Sequence, residues 1–449
     1  MKNHYLIRPL ILTTLVLLAT GCQKEKLDYP ELVDGATFNQ YIPELATSVV
    51  FEYNNDYKGT HILSTPRSSV PIYGRYDGTV WHVITSASTI YANPRCDKMF
   101  YKRSKLTSID FGDGFNTSNV VSMTRVVDTA YSGVPSIRVR FGMFAGCSNL
   151  TSLDLSVFNT SQVTDMRGLF ENCSKLTSLN VSSFNTSNVE YMDAMFYGCS
   201  GLTSLDVSNF NTSNVVSMSY AVDSVFYSTA PDGRRYKWYN KYMLMGMFAG
   251  CSSLTSLDLS SFNTSQVTDM RGLFDGCKNL TSLNVSNFNT SNVKHMDAMF
   301  RGCSRLTSLD LSNFNTSNVV SMSYRVKVFR NNGSWGQRPG SGYNWDGGMF
   351  MNCNSLTSLD LSNFNTSDVT CMCKLFCNCT HLTFLDLSDF DMTLTNGFSQ
   401  KQDMCSGLST SSGVCTIVCT ESVQNSLLDN NGYITGIPVD EVTFTWVRP

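Results

Sequence analysis

Sixteen cysteines stand in this 449-residue chain, and their thiols are the first groups whose spacing suggests chemistry. Cys371, Cys373, Cys377 and Cys379 form a C-x-C-x3-C-x-C cluster, with Cys405, Cys415 and Cys419 beyond it. Thiols this dense hold a metal or close a disulfide, but no C-x-x-C pair is present and the zinc signal is weak. A disulfide securing the end of the chain and unmodified thiols both remain open. Cys147, Cys173, Cys199, Cys251, Cys277, Cys303, Cys353 and again Cys379 recur at one position of a repeating unit. That position reads as a small buried apolar slot holding inert thiols, with inter-turn disulfides as the oxidised alternative. An acidic column (Asp110, Asp154, Asn180, Asp206, Asp258, Asn284, Asp310, Asp360, Asp386) is the next candidate. Carboxylates about 5 Å apart on neighbouring strands repel. Either Ca²⁺ bridges them, or water and hydrogen bonds from flanking Ser and Thr offset the repulsion. The histidines, His4, His61, His82, His295 and His381, show no recurring Ser/His/Asp or metal-ligand spacing. No catalytic residue, metal or cofactor is expected.

Binding chemistry is concentrated elsewhere. Three segments near 121–142, 217–246 and 321–348 combine aromatic rings with cations. The first offers Arg138 and Arg140, the second Arg234, Arg235, Tyr236, Trp238 and Tyr239, and the third Arg325, Arg330, Trp335, Arg338 and Trp345. Rings and guanidinium groups together suit sugars, acidic peptides or anionic polymers through stacking and charge-assisted hydrogen bonds. Simple packing of aromatic strands along a scaffold is the competing reading. At the N-terminus, Lys2 and Arg8 precede a short apolar stretch, Leu10 to Ala19, that is too brief to span a bilayer. It ends in Leu18-Ala19-Thr20-Gly21-Cys22, which resembles a bacterial lipobox, so Cys22 is the expected lipidation site. Gln23 after it favours the outer membrane. The net charge of −3, without long runs of one sign, argues against nucleic-acid binding.

The elements that position these groups are dictated by a 26-residue repeat whose fullest form is LTSLDLSxFNTSxVxxMxxxFxxC. It begins at Leu106, Leu150, Leu176, Leu202, Leu254, Leu280, Leu306, Leu356 and Leu382, and the step lengthens only after the first, fourth and seventh copies. In the copy at Leu150, Leu150, Leu153 and Leu155 alternate with polar residues, the strand pattern of a leucine-rich repeat. Asn159-Thr160-Ser161 turns the chain, and Val163, Met166, Leu169 and Phe170 have the spacing of a short helix or 3₁₀ segment. The Asn column beginning at Asn116 and Asn159 is expected to bond turn backbone in a ladder, which outweighs its reading as glycosylation sequons.

The predicted architecture is a leucine-rich-repeat solenoid of short parallel strands and short helices or 3₁₀ turns, with a β-hairpin inserted after every third repeat and a cap at each end. The expected boundaries are signal peptide 1–21, tether 22–35, β-rich cap 36–105, nine repeats over 106–390 and C-terminal cap 391–449. Within the caps, Val49 to Tyr53, Thr79 to Thr85, Cys415 to Cys419 and Val442 to Val447 read as strands and Glu421 to Leu428 as a helix. In the second insertion, two strand-like runs flank Pro231-Asp232-Gly233, a hairpin turn signal.

The lipobox, the LTSLDLSxFNTSxV unit and its Met-x-x-x-Phe-x-x-Cys tail resemble the BspA-like leucine-rich-repeat surface proteins over residues 99–390. That resemblance implies a cell-surface lipoprotein or adhesin whose partners are host matrix proteins, cell-surface proteins or glycans, with no ligand residues that carry over. The expected function is therefore non-catalytic adhesion from a lipid anchor. A carbohydrate-capturing lipoprotein for nutrient uptake, or a passive surface spacer, is the alternative.

Overall fold

The computed structural model describes residues 26–54, 59–129, 137–229, 235–330, 340–345, 347–395, 403–408, 411, 414–428 and 442–446. Cys22 and the turn Pro231-Asp232-Gly233 lie outside them. The described chain is a repetitive fold of short parallel strands with few helices and a periodic core of buried Cys and Phe.

The N-terminal cap opens on helix α1 (Gly35–Tyr41), capped by Asp34, whose carboxylate accepts the Thr37 N–H at 3.1 Å. Strands β1 (Ser48–Tyr53), β2 (His61–Ile62), β3 (Ile72–Tyr76), β4 (Val80–Thr85) and β5 (Ile90–Tyr91) follow. The first repeat strand, β6 (Ser108–Asp110), pairs in parallel with β1, completing a five-stranded sheet in the order β2-β3-β4-β1-β6. The cap thus presents its parallel edge to the repeats and leaves no open strand there. Of the expected tether, residues 26–35 pack into this cap: the Leu27 N–H donates to the Arg67 carbonyl, and Glu31 and Leu32 form bridges to Tyr91 and Ser64.

After β7 (Phe115–Asn116) and a first hairpin, β8 (Thr124–Thr129) with β9 (Ile137–Gly142), the repeats continue through β10 (Ser152–Asp154) and β11 (Ser178–Asn180). Alternation works as read: Leu150, Leu153 and Leu155 are buried while Thr151, Ser152 and Asp154 are exposed. A second hairpin joins β12 (Ala221–Thr229) to β13 (Arg235–Leu244), then come β14 (Ser256–Leu257) and β15 (Ser282–Leu283). The third hairpin is β16 (Arg325–Arg330) with β17 (Gly340–Trp345). Strands β18 (Ser358–Asp360), β19 (Phe384–Asp386), β20 (Cys415–Cys419) and β21 (Val442–Trp446) close the fold as one parallel sheet, with helix α2 (Glu421–Leu427) between the last two.

Three side-chain columns tie each repeat to the next. Phe100, Phe144, Phe170, Phe196, Phe248, Phe274, Phe300, Phe350 and Phe376 stack face to face, the first pair at 5.5 Å and within 5° of parallel, straight past all three insertions. Each column cysteine donates its thiol to the carbonyl of the Phe one repeat earlier: Cys173 to Phe144 at 3.2 Å, Cys277 to Phe248 at 3.2 Å. These eight thiols are free and wholly buried, so burial pushes their pKa up and holds them protonated. The third column was unread in the sequence. The Thr of Asn-Thr-Ser is buried, donates to the Asn carbonyl of the next repeat and accepts that residue's N–H. Thr212 bonds Asn263 in this way at 2.9 and 2.7 Å. The preceding Asn side chain closes only its own turn, Asn159 Oδ1 accepting the Ser161 N–H; the inter-repeat ladder belongs to the threonine.

The expected helical return is absent from the repeats: among the described residues, helix occurs only at 35–41, 393–395 and 421–427. Around Phe170 both Gly168 (61°) and Asn172 (60°) hold positive φ, as do Ala298 (52°) and Gly302 (72°) around Phe300, whereas around Phe144, Phe248 and Phe350 only the residue two after does. One or two left-handed residues per turn break the right-handed run a helix needs and leave linked tight turns.

Candidate binding surface

Around the second and third insertions, the residue after the column Met differs between repeats with and without an insertion. It is Arg167, Asp193 and Ser219 in three successive repeats, then Arg271, Asp297 and Ser323 in the next three. Each Arg forks onto the carboxylate two residues back, Arg167 Nε lying 3.0 Å from Asp165 Oδ1, and Arg167 also covers the Tyr191 ring at 4.5 Å. Each Asp is buried and accepts a hydrogen bond from a serine of the following repeat, Ser217 on Asp193 and Ser321 on Asp297. Burial raises both carboxyl pKa values to about 6, with the serine bond and nearby arginines acting in the opposite direction. Each Ser, at the mouth of a hairpin, donates to the backbone of the next repeat, Ser219 to the Arg271 carbonyl and Ser323 to the Cys373 carbonyl.

The hairpins rejoin the repeats through glycine. A Cβ on Gly142, Gly246 or Gly348 would lie 2.1, 2.1 and 2.0 Å from the carbonyl oxygens of Gly168, Gly272 and Lys374. Only a residue without a side chain allows that approach, which accounts for the Gly-Met-Phe at every exit. The roots are further pinned by side chains. Arg140 is buried, with Nε 3.4 Å from Glu171 and its guanidinium 5.7 Å from the Tyr220 ring centre. Burial raises the Glu171 pKa despite Arg140. One hairpin further on, Arg301 joins Asp275 (Nε–Oδ1 2.8 Å) to the Tyr324 hydroxyl (2.7 Å). Leu244, Ala298 and Tyr324 pack together beside it. Sequence reasoning missed Asp193, Asp297 and Glu171, although the Arg-Asp-Ser alternation after Met was visible.

The hairpins are neighbours of one another. Strand β9 lies beside β12, and β13 beside β16, so the three separate two-stranded ladders stand side by side in chain order. Strand register sorts the sequence-predicted residues within it. In the second hairpin Ala221 pairs with Leu244, both at the packed root, and a bulge after Ser224 shifts the partner strand by one residue. Arg235 and Tyr239 therefore share the register face of Leu244, whereas Tyr236, Trp238, Lys241 and Phe226 occupy the opposite one. In the third, Arg325, Lys327, Tyr343 and Trp345 share a face, and Arg330 falls on that of the buried Tyr324. In the first, Arg138 shares the register face of buried Arg140, while Arg125 pairs with Phe141 on the other. Arg234, Trp335 and Arg338 lie outside the described residues.

The other chemical candidates are accounted for locally. Every member of the acidic column accepts the N–H two residues on, as Asp154 does from Ser156 at 2.9 Å; the serine hydroxyl and N–H lower the carboxyl pKa of Asp206, and the N–H and hydroxyl of the serine two residues on lower those of Asp154, Asp258 and Asp310. Asn180 reaches back to Asp154 at 3.0 Å, so the asparagines interrupt the run of charge. Among the described residues no three His, Cys, Asp or Glu side chains converge to hold a metal. Cys371 Sγ and Cys373 Sγ lie 3.4 Å apart. In the cap, His82 sits between Glu52 (2.5 Å) and Asp77 (3.0 Å).

Residues 140–230, 242–346 and 346–411 match a protein family described as "Mycoplasma protein of unknown function, DUF285". This corrects the BspA-like family expected from the repeat: the recurring Leu, Phe and Cys columns on which that resemblance stood fall, from Phe144 and Leu150 onward, within the matched residues. No curated protein and no solved structure matches the chain.

Proposed function

The chain belongs to the DUF285 family, and from that premise we propose that it is a non-catalytic binding protein. In this reading it is a leucine-rich-repeat-type solenoid, anchored in the outer membrane through Cys22, that adheres to a protein or glycan on neighbouring or host cells. The observation that carries the reading is the side-by-side placement of three two-stranded ladders, with Phe226, Tyr236, Trp238, Lys241, Arg325, Lys327, Tyr343 and Trp345 at register positions opposite those of the packed roots. A rigid scaffold carrying one variable, ring-rich and cation-rich layer is how binding loops are commonly displayed.

The test is a glycan array and a panel of extracellular-matrix proteins probed with the wild-type chain and with a Tyr236→Ala, Trp238→Ala, Arg325→Ala, Trp345→Ala variant. Binding to either panel that the variant loses supports the layer as the site; protein ligands indicate adhesion and glycan ligands alone indicate carbohydrate capture. Binding that survives all four substitutions removes the layer from the function. Silence on both panels leaves the spacer reading in its place.

A further inference from the structure

The cap holds a second charged surface. Lys26, Arg67 and Arg95 line a groove with Pro66, Pro94 and Asn93, and its floor carries Glu31. The acidic groups beside it are withdrawn. Glu31 is buried, its Oε2 accepting from Thr65 at 3.1 Å, and Asp97 is 5% exposed beneath Arg95, which is 59% exposed. Asp28 is the exposed carboxylate nearest in the chain, two residues from Lys26. Lys26 and Arg95 are thus exposed and Arg67 half-buried, whereas Glu31 and Asp97 are buried, Asp97 lying 3.8 Å from Arg95.

Its place in the chain supplies the second observation. The chain is already packed into the cap at Leu27, whose N–H bonds to the Arg67 carbonyl at 2.8 Å, inside the same groove. Lys26 is four residue steps from Cys22, a reach of at most about 14 Å when fully extended. An acyl anchor on Cys22 would thus hold the groove within about one or two Debye lengths of the headgroups. No long tether is present to lift it away.

We propose that this end of the cap is a membrane-docking surface, in which Lys26, Arg67 and Arg95 take the phosphates of anionic lipid headgroups. The proposal rests on the anchored reading for its geometry, yet the groove's charge is testable without the anchor. Two consequences follow from the placement. The cap would be held down at a second point besides the acyl chain, and the repeats would leave the membrane at a defined angle, carrying the hairpin layer outward. Cations near an anionic surface contribute about 1 kcal/mol each, which is roughly fivefold in partition per residue, or about a hundredfold for all three.

The full chain carrying Cys22→Ser cannot be acylated and isolates the groove. It is mixed with vesicles of equal parts phosphatidylcholine and phosphatidylglycerol, and with vesicles of phosphatidylcholine alone, and sedimented at low and at raised salt. The expected result is binding to the anionic vesicles, weakened by salt and lowered about a hundredfold by Lys26→Ala, Arg67→Ala, Arg95→Ala. Equal binding to both vesicles, or a triple variant that binds like its parent, overturns the proposal. Lys26→Glu with Arg95→Glu, both at exposed positions, repeats the test without disturbing Arg67 should the triple variant fail to fold. The mass of the N-terminal peptide from wild-type chain reads acylation separately. An unmodified Cys22 would end the anchored reading and with it the geometry of docking, whereas vesicle binding lost on an acylated chain ends the docking surface alone.

Discussion

In the repeat stack each side chain meets its own counterpart one turn away, whereas in the hairpins each strand meets a different partner. Phe274 lies between Phe248 and Phe300, at 5.9 and 5.7 Å, and a ring of another shape would interrupt the column in both directions. Strand β12 reads AVDSVFYST, β16 reads RVKVFR and β8 reads TRVVDT, with little in common beyond strand propensity. The difference teaches where sequence is constrained by packing and where it is released. Identity is enforced by self-stacking, and among the described residues the hairpins meet the stack at their roots, through Gly246, Leu244, Tyr324 and Arg140. Variable chemistry accumulates where the constraint stops.

The sharpest way to break that comparison is to remove a ring from the column. Phe274→Ala should cost about 3–5 kcal/mol, measured as a fall in the urea midpoint, because a fully buried ring is lost from the middle of the stack. A loss below about 1 kcal/mol would mean that the stack carries less of the stability than its regularity implies.

The two buried aspartates at the hairpin roots come next. Asp193 and Asp297 have folded-state pKa values near 6, above the usual 3.8. The folded chain therefore binds their protons more tightly than the unfolded chain. Their stabilising contribution is complete below about pH 4 and declines as pH rises toward 6, by up to about 1.4 kcal/mol per pH unit for each group. Asn at both positions keeps an acceptor for Ser217 and Ser321 without a titrating proton. The difference in urea midpoint between wild type and Asp193→Asn, Asp297→Asn should thus slope across that window and flatten above it. A difference independent of pH would show that these carboxyls titrate normally.

How much of this was legible in the sequence follows from the same comparison. The Leu, Met, Phe and Cys columns were read correctly because one residue type recurs every 26 positions. The threonine of Asn-Thr-Ser was not, since an Asn-Thr-Ser string points to turns and places the polar work on Asn. Burial of Thr264 and its bond to the Asn289 carbonyl depend on the next repeat, which no single copy shows. The helix expected over Val163 to Phe170 failed because apolar spacing cannot reveal that Gly168 has positive φ. In the hairpins, strand existence was legible but the facing of Trp238 against Tyr239 was not, because the bulge after Ser224 changes the alternation.

Smaller effects test the columns one hydrogen bond at a time. Thr264→Val keeps the shape but leaves the Asn289 carbonyl without its hydroxyl donor, so a loss of about 1–3 kcal/mol is expected in the same denaturation measurement. Cys277→Ala removes only a thiol and its weak bond to the Phe248 carbonyl, at a cost of about 1 kcal/mol. Burial also predicts that the native column thiols resist alkylation and react only as the chain unfolds. Rapid labelling of Cys277 in the native chain would contradict the packed column.

The smallest expected effect sharpens the comparison most. Trp238→Ala with Trp345→Ala changes two large side chains, which in a packed core would cost several kcal/mol. Both lie on register faces opposite the roots, at Phe226↔Trp238 and Arg325↔Trp345. If the layer is hung on the stack and does not support it, the double variant should keep its urea midpoint within about 0.5 kcal/mol of wild type. Its far-ultraviolet spectrum should also be unchanged. Tyr239→Ala is the matched control, because its register face is that of Leu244, and it should be the more destabilising of the two variants despite removing one ring where the other removes two. The reverse order would place the tryptophans against the scaffold and make the hairpin layer part of the core.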